Sequence, residues 1–294
     1  MLNRRKILLA LIEALGGDIK STDMEKLLFL YCRQFEVPPY DFFPYKYGCF
    51  SLLSYQDKRA LTARGYLVAQ DSFTLRRKTS YLRRLLPEEQ SLVRDFANRY
   101  SLLRGRSLVR HVYKSFPYYA TRSEIRKQIL NLAELEAVEA ACTNDMQPRL
   151  FTIGYEGRSI DAYINELISR NIGTVIDVRR NALSMKYGYS KERFSSYLDR
   201  AGIFYIHMPE LGIASSERRG LATPNDFQRL FEHYATQYLP RHSEALRHLA
   251  EHVNRRTRVA LTCFECEPSG CHRHKITEAL QFQSGWKIPI EHIV

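Results

Sequence analysis

The residues with the richest chemistry lie between Arg258 and Lys275, where the sequence reads RVALTCFECEPSGCHRHK. This stretch brings thiols, carboxylates, imidazoles and guanidinium groups close together along the chain. Its first residues form an apolar, β-branched run typical of a buried strand, and Pro268 with Gly270 predicts a sharp turn. A helix is expected to begin at Cys271. A turn between a strand and a helix N-terminus favours anions, because free backbone N–H groups and the helix dipole both attract negative charge.

Three carboxylates are the candidate catalytic residues. Asp177, Glu210 and Glu265 each follow a predicted strand, and ligands of open α/β sheets sit beyond the carboxyl ends of the strands. The set predicts either a divalent-cation site for phosphodiester hydrolysis, or Glu265 acting as base or nucleophile at a sugar carbon with assistance from Asp177. The alternative is a structural network of carboxylate–arginine pairs that braces the loops.

Basic and glycine residues surround these carboxylates in the sequence. The expected anion-binding or substrate-binding residues are Gly154, Tyr155, Arg158, Arg179, Arg180, Cys271, His272 and Arg273. Arginine binds phosphate through paired, charge-assisted hydrogen bonds. Guanidinium groups would also repel a metal cation at the same place. The prediction is therefore a phosphate-bearing, nucleotide-like substrate, with no certain cofactor and a divalent cation left open.

A zinc site is the other interpretation of the cysteine-rich stretch. Cys263, Cys266, Cys271, His272 and His274 offer enough ligands for a tetrahedral ion. However, Cys263 and Cys266 are expected on opposite sides of a strand, and adjacent Cys271 and His272 rarely bind one ion. A phosphatase-like loop is excluded because no cysteine here precedes an arginine at the required spacing. The sequence therefore predicts no metal ligand, disfavours structural zinc, and treats Cys263 as a small buried apolar residue.

The surrounding pattern from residue 149 to 294 alternates strands and helices. Strands are predicted at 150–155, 174–178, 204–208, 259–263 and 288–294, and helices at 159–170, at 191–201 and within 224–256. This alternation predicts an α/β domain with a mostly parallel sheet and helices on both faces.

The N-terminal region, residues 1–75, has a different pattern. Helices are predicted at 4–15, after a Ser21–Asp23 cap, and at 52–63, followed by a strand at 65–69. The intervening VPPYDFFPYKYGCFS cannot be helical through its prolines. The order predicts an α-rich, winged-helix-like domain; the alternative is a small helical bundle with no role in nucleic-acid binding.

Residues 76–145 form a basic helical segment, with helices predicted near 87–104 and 122–132, that is expected to pack with this first domain. Between Arg76 and Lys127, fourteen Lys or Arg face four acidic residues, and tyrosines lie among them. Arginines bind phosphates and aromatic rings stack on unpaired bases, so the segment predicts binding of DNA or RNA. The candidate nucleic-acid-binding residues are Arg76, Arg77, Lys78, Arg83, Arg84, Arg104, Arg106 and Arg110. A solvated helical face with buried tyrosines is the alternative.

Composition agrees with a cytoplasmic, nucleic-acid-binding protein. A chain of 294 residues with net charge +12 suits two domains and a polyanionic partner. The six cysteines are unevenly spread, which is untypical of a disulfide framework. The apolar N-terminal run is interrupted by Glu13 and lacks a cleavage signal. No apolar run approaches the ~20 residues of a membrane span, so no membrane partner is expected.

Two family resemblances complete the sequence evidence. The segments TIGYEGRSID, VIDVRRNALS, YIHMPELG and CFECEPSGCHR resemble the domain-of-unknown-function family 488 over about 149–294, which implies a Rossmann-like α/β domain without a settled activity. Its signature residues correspond to Gly154, Asp177, Arg179, Glu210, Leu211, Gly212, Cys263, Glu265, Pro268, Cys271, His272 and Arg273. Tyr155 and Cys266 depart from the usual family pattern. In addition, KLLFL, FPYKYG and the following Leu52-Leu53 are similar to the Panacea domain over about 5–70, which implies an antitoxin-like or regulatory module.

Together these observations predict a nucleic-acid-binding protein whose C-terminal domain hydrolyses a glycosidic or phosphodiester bond of a nucleotide or nucleic acid. The alternative is a non-catalytic DNA-binding sensor or regulator that binds a nucleotide ligand in the C-terminal crevice. A third interpretation, an antitoxin-like partner of another protein, follows from the Panacea resemblance alone.

Overall fold

Two units divide the chain: unit 1 runs from Met1 to Cys142 and unit 2 from Thr143 to Val294. The computed structural model describes residues 1–77 and 79–294 and has a mixed α/β fold. None of the helices in these residues combines the length and apolar character needed to cross a membrane.

Unit 1 is mainly helical, with two small antiparallel sheets. Its helices are α1 (Asn3–Ala14), α2 (Ser21–Cys32), α3 (Leu52–Ala63), α4 (Pro87–Tyr100), α5 (Gly105–Ser115), α6 (Arg126–Ile129) and α7 (Leu132–Ala140). Its strands are β1 (Asp18–Ile19), β2 (Phe43–Tyr45), β3 (Gly48–Phe50) and β4 (Phe73–Thr74). Strand β1 pairs with β4, and β2 pairs with β3.

The proline-rich passage of unit 1 forms the β2–β3 hairpin. Gly48 begins β3 with φ +96°, a conformation that favours glycine. A methyl group at Gly48 would come within 2.6 Å of the Tyr113 ring, so the hairpin packs directly on α5. The prediction that this passage is not helical is therefore correct.

Helix α3 is anchored in unit 1 by buried polar groups. Asp57 is fully buried and accepts hydrogen bonds from Arg4, Arg5 and Tyr40. Most of the helix is buried or half-buried, and Arg59 is one of its few exposed side chains. The strand expected at 65–69 is reduced to a single bridge between Leu67 and Leu75.

Unit 2 alternates strands and helices. Its strands are β5 (Arg149–Gly154), β6 (Thr174–Asp177), β7 (Phe204–His207), β8 (Arg258–Cys263) and β9 (Ile290–Ile293). Its helices are α8 (Ile160–Ser169), α9 (Lys191–Arg200), α10 (Pro224–His233), α11 (Leu239–Arg241), α12 (Ser243–Arg255) and α13 (Arg273–Gln281). The alternation predicted from the sequence is confirmed.

The strands of unit 2 form one parallel sheet in the order β7-β6-β8-β5-β9. Gly154 is in register with Cys263, and Asp177 is in register with both Thr262 and His207. The carboxyl ends of β5, β6, β7 and β8 therefore lie side by side at one edge, as the sequence pattern requires.

Helices cover both faces of this sheet. On one face Leu261 of β8 belongs to the same buried cluster as Ile276 of α13. On the other face Phe194 of α9 contacts Tyr205 of β7 with their ring centroids 5.6 Å apart. Because helices pack on both faces, the carboxyl ends of the strands are fixed in position, and so are the starts of the loops that follow them.

Candidate functional site

A cleft of about 320 Å³ opens at the carboxyl edge of the unit 2 sheet. It is lined by residues from the segments that follow β5, β6, β7 and β8: Tyr155, Arg179, Arg180, Asn181, Leu183, Ser184, Ile213, Ser215, Arg218, Cys263, Phe264, Glu265 and His272. The parallel order therefore brings chemically active side chains from distant parts of the chain into one depression.

Glu265 is positioned in the cleft by contacts that other residues make with its backbone. The buried Arg273 donates hydrogen bonds to the carbonyl oxygens of Glu265 and Cys266, the latter at 2.6 Å. Gly154 leaves room for this turn, because a methyl group there would come within 1.8 Å of the Glu265 carbonyl oxygen. The Glu265 carboxylate is then free to pair with Arg218, whose Nη1 lies 2.5 Å from Oε1.

Cys263, Cys271 and His272 form a buried cluster at the inner end of the cleft. Nδ1 of His272 lies 3.9 Å from Sγ of Cys263 and 3.8 Å from Sγ of Cys271. Nε2 of His272 lies 3.1 Å from the carbonyl oxygen of Val178. A carbonyl oxygen only accepts, so Nε2 carries a proton and Nδ1 is the ring nitrogen that faces the thiols.

The two thiols of this cluster have different electrostatic environments. The pKa of the Cys263 thiol lies well below its ordinary value, first because of a hydrogen bond with Cys271 and then because of His272 and Arg218. Burial raises the pKa of the Cys271 thiol well above its ordinary value. Of the two thiols, that of Cys263 is therefore the one that ionises more readily.

Asp177 and Arg179 form a buried pair beneath the cleft. The Asp177 carboxylate accepts from Nε of Arg179 at 2.8 Å, from its Nη2 at 2.6 Å and from the Tyr205 hydroxyl at 2.7 Å. The Nη1 of Arg179 donates to the Tyr155 hydroxyl at 2.9 Å. The pKa of the Arg179 guanidinium is raised despite its burial, because Asp177 stabilises the charge. Asp177 thus orients Arg179 and, through it, Tyr155.

The other cleft arginines remain more accessible. Arg180 is exposed and donates to the carbonyl oxygen of Pro209 at 3.2 Å. Arg218, with 29% of its side chain exposed, pairs with Glu265 and also places Nη2 3.1 Å from Nδ1 of His272. These two guanidinium groups are the ones that an incoming anion can reach.

Not all the predicted site residues line the cleft. Tyr155, Arg179, Arg180, Glu265 and His272 do, while Gly154, Asp177, Cys271 and Arg273 support them from behind. Glu210 is exposed on the turn Pro209–Leu211, and half-buried Arg158 follows β5; neither lines the cleft. The expected convergence of three carboxylates is thus reduced to Glu265 at the surface, with Asp177 buried below.

The arginines predicted to bind nucleic acid fall into two groups. Arg104 donates to the carbonyl oxygens of Tyr100, Leu103 and Leu15, Arg106 donates to that of Gln128, and Arg110 pairs with Glu134. The remaining described candidates, Arg76, Arg77, Arg83 and Arg84, are all exposed. Lys78 lies outside the described residues.

Sequence reasoning missed three participants. Arg218 lies in the segment between β7 and α10, where no strand end or motif marks it. Tyr205 has the partner Asp177, which only the β6–β7 register reveals. Cys263 is buried, as expected, but it also lines the cleft, and the pKa of its thiol is lowered, first by the hydrogen bond with Cys271; its proximity to Cys271 in the sequence was the available signal.

Comparisons with known proteins bear on unit 2. No curated protein and no solved structure matches the chain. Glu265, Arg218 and the Cys263–Cys271–His272 cluster all lie within the range that a family model covers. Residues 159–280 match the family model described as Domain of unknown function DUF488.

Proposed function

We propose that unit 2 hydrolyses a glycosidic or phosphodiester bond in a nucleotide or nucleic acid bound in the cleft. The observation that carries this proposal is the position of the Glu265 carboxylate beside the accessible guanidinium groups of Arg218 and Arg180. An anion-binding surface and one available acid or base therefore occupy the same depression.

Glu265 is the group best placed to act on a bound substrate. Among the described residues that line the cleft, it is the only carboxylate. Its backbone is fixed by Arg273 and its side chain reaches the cleft, which gives the positional control that proton transfer or nucleophilic attack requires. Asp177 has a positioning role, because its oxygens are already occupied by Arg179 and Tyr205.

Other cleft side chains support a nucleotide as the substrate class. Arg218 and Arg180 can neutralise a phosphate. The Phe264 ring is 42% exposed although it lies next to the buried end of β8, and it contacts Tyr155 edge-on at 5.3 Å. An exposed aromatic face beside a cationic site provides a stacking surface for a base.

Unit 1, in this proposal, binds the nucleic acid. Its order of helices followed by the Leu67–Leu75 bridge supports a winged-helix-like interpretation, and the resemblance to Panacea rests on the sequence motif. Because α3 exposes little of its surface, we assign binding to the exposed Arg76, Arg77, Arg83 and Arg84. For unit 2 we interpret the parallel sheet with helices on both faces as Rossmann-like. It differs in strand order, because β8 lies between β5 and β6.

The test compares wild-type protein with Glu265→Gln on labelled single-stranded and double-stranded oligonucleotides and on free nucleotides. We expect product from the wild type and a loss of about 100-fold or more in the variant, the usual contribution of a positioned acid or base. A released base identifies a glycosidic bond, whereas a shortened strand identifies a phosphodiester bond.

Glu267→Gln is the matched control, since Glu267 is exposed and lies outside the cleft lining. It should keep wild-type activity. Full activity in Glu265→Gln would reject the assignment of Glu265. If the wild type binds the oligonucleotides in a salt-dependent way but forms no product, hydrolysis is rejected and the alternative is favoured, a non-catalytic DNA-binding sensor that binds a nucleotide in the cleft.

A further inference from the structure

We propose that Cys263, Cys271 and His272 bind one zinc ion at the inner end of the cleft, with the fourth coordination position facing the cleft. The binding itself does not depend on the hydrolytic activity proposed above. A site with two cysteines, one histidine and one open position is the arrangement of catalytic zinc.

The ligand atoms are already close to the required spacing. All three lie within 4.8 Å of one another, and Nδ1 of His272 is 3.9 Å and 3.8 Å from the two sulfurs. Zinc–sulfur and zinc–nitrogen bonds of about 2.3 and 2.0 Å at tetrahedral angles place such atoms about 3.6 Å apart. The two nitrogen–sulfur distances need to contract by only a few tenths of an ångström, and the sulfurs, which lie within 4.8 Å of each other, by at most about 1 Å, which side-chain rotation can supply.

The second ring nitrogen of His272 is hydrogen-bonded to a backbone carbonyl, as is usual for a histidine that binds a metal. Its Nε2–H donates to the Val178 carbonyl, which holds the ring with Nδ1 on the side of the two sulfurs. The ring is further held by edge contact with Tyr234 at a centroid distance of 5.5 Å. His272 is 1% exposed, so this orientation is imposed by packing.

The cleft gives the ion access and a neighbouring carboxylate. Cys263 and His272 line the cleft, whereas Cys271 lies behind them. Oε2 of Glu265 is 3.3 Å from Sγ of Cys263 and so borders the open position without being needed as a ligand. Two thiolates and a neutral imidazole balance the charge of Zn²⁺.

Arg218 currently supplies positive charge to this cluster. Its guanidinium lies 3.1 Å from Nδ1 of His272, so metal binding requires it to leave that nitrogen. Its side chain is 29% exposed and also pairs with Glu265. The guanidinium can therefore retain the carboxylate while it turns toward the cleft.

The structure answers the objection that adjacent cysteine and histidine residues seldom share an ion. Cys271 is extended, with φ −135° and ψ 140°, whereas His272 is helical, with φ −58° and ψ −18°. This change of backbone conformation turns both side chains toward the same point. Cys266 is not part of the cluster, in agreement with the expectation that it diverges from Cys263.

The first experiment uses the full wild-type chain, reduced, stripped of metal with a chelator and then supplied with Zn²⁺ or Co²⁺. We expect one ion per chain and a cobalt spectrum with thiolate charge-transfer and tetrahedral ligand-field bands. Zinc should protect Cys263 and Cys271 from alkylation, mapped by peptide mass spectrometry, while Cys142 and Cys266 react at unchanged rates. A reduced wild-type chain that takes up neither Zn²⁺ nor Co²⁺ would overturn the proposal without requiring any variant to fold.

The second experiment compares Cys263→Ser and His272→Gln with the control Cys266→Ser. Loss of a ligand should weaken zinc binding by more than about 100-fold, whereas the control should bind as the wild type does. Zinc bound equally by all of these proteins would place the ion elsewhere and reject the site.

Failure of this inference can be told apart from failure of the proposed function. Glu265→Gln should lose hydrolysis but retain zinc, because Glu265 is not a ligand. A wild-type protein that binds no zinc yet forms product would refute only the metal site. A protein that binds zinc at this site and forms no product would refute only hydrolysis.

Discussion

Gly154 has no side chain, and the carbonyl oxygen of Glu265 lies where a methyl group would extend. The Cα atom of Cys266 also lies close to this methyl position. A side chain at residue 154 would therefore clash with backbone atoms, which cannot rotate away as a side chain can. Arg273 holds this backbone from the other side. The position of the candidate catalytic carboxylate therefore depends on a residue that carries no chemistry of its own.

Replacing Gly154 by alanine should displace the Glu265 turn. We expect destabilisation of about 1–3 kcal/mol, the usual cost of overpacking, together with loss of the activity that depends on Glu265. Thermal unfolding and product formation measure the two effects. Gly173→Ala is the control, because a methyl group there meets nothing within 4 Å; equal behaviour of both variants would contradict the steric role.

At this scale the sequence identified several of the polar residues of the cleft but not the roles that they have within it. Tyr155, Arg180, Glu265 and His272 could be found because each follows a strand end. The convergence of Cys271 and His272 on one point could not, because it depends on the backbone change between them. Arg218 could not either, since its segment carries no periodic pattern.

At the scale of elements, a buried carboxylate joins two helices of unit 1. Asp57 of α3 is 0% exposed and pairs with Arg4 and Arg5 of α1, each with Nε 2.6 Å from a carboxylate oxygen. Tyr40 adds a third donor at 3.0 Å. The α1–α3 contact is thus specified by polar groups within an otherwise apolar core.

Asp57→Ala should leave two guanidinium groups and a buried hydroxyl without their acceptor. We expect a loss of about 3–5 kcal/mol, as for other broken buried pairs. Chemical denaturation followed by circular dichroism measures it. The surface pair Lys46–Glu124 supplies the control, since Glu124→Ala breaks an exposed contact worth at most about 1 kcal/mol; an equally small effect at Asp57 would show that the buried pair is unimportant.

Periodicity predicted the long helices well and the short ones poorly. Helix α3 has the predicted bounds, Leu52–Ala63, because its apolar spacing and the Ser51 cap agree. The single helix expected at 122–132 is instead α6 (Arg126–Ile129), and α7 begins anew after Asn131. Asn131 and Glu134 form a capping box, a local signal in the sequence that the apolar pattern obscured.

At the scale of the whole molecule, the net charge of +12 predicts salt-dependent association with polyanions. The sequence located the basic excess but not the available cations, because hydrogen bonding to carbonyl oxygens already engages Arg104 and Arg106. Arg106 and Arg110 are exposed as well, so their contacts with the Gln128 carbonyl and with Glu134, and not exposure, narrow the proposed nucleic-acid contact to Arg76, Arg77, Arg83 and Arg84.

Arg76→Gln/Arg77→Gln should weaken binding to any oligonucleotide sequence. The slope of log K against log salt should become shallower by about two, because each lost phosphate contact releases about one counterion fewer. Fluorescence anisotropy at several salt concentrations measures it. The matched double variant Arg247→Gln/Arg255→Gln removes two exposed arginines of unit 2, and the same change of slope in both would show a general charge effect.

The sheet order has a consequence for biosynthesis. Strand β8 separates β5 from β6, although it is made after both of them. While the ribosome has released only the residues before Arg258, β5 therefore has no neighbour to bond with, and β6 with β7 forms an isolated ribbon. When β8 emerges, it pairs with β5 on one side and with β6 on the other. The same strand carries Cys263 and is followed by the turn that contains Glu265. The strand that joins the two parts of the sheet in the nascent chain is thus also the strand that brings Cys263 and Glu265 into place.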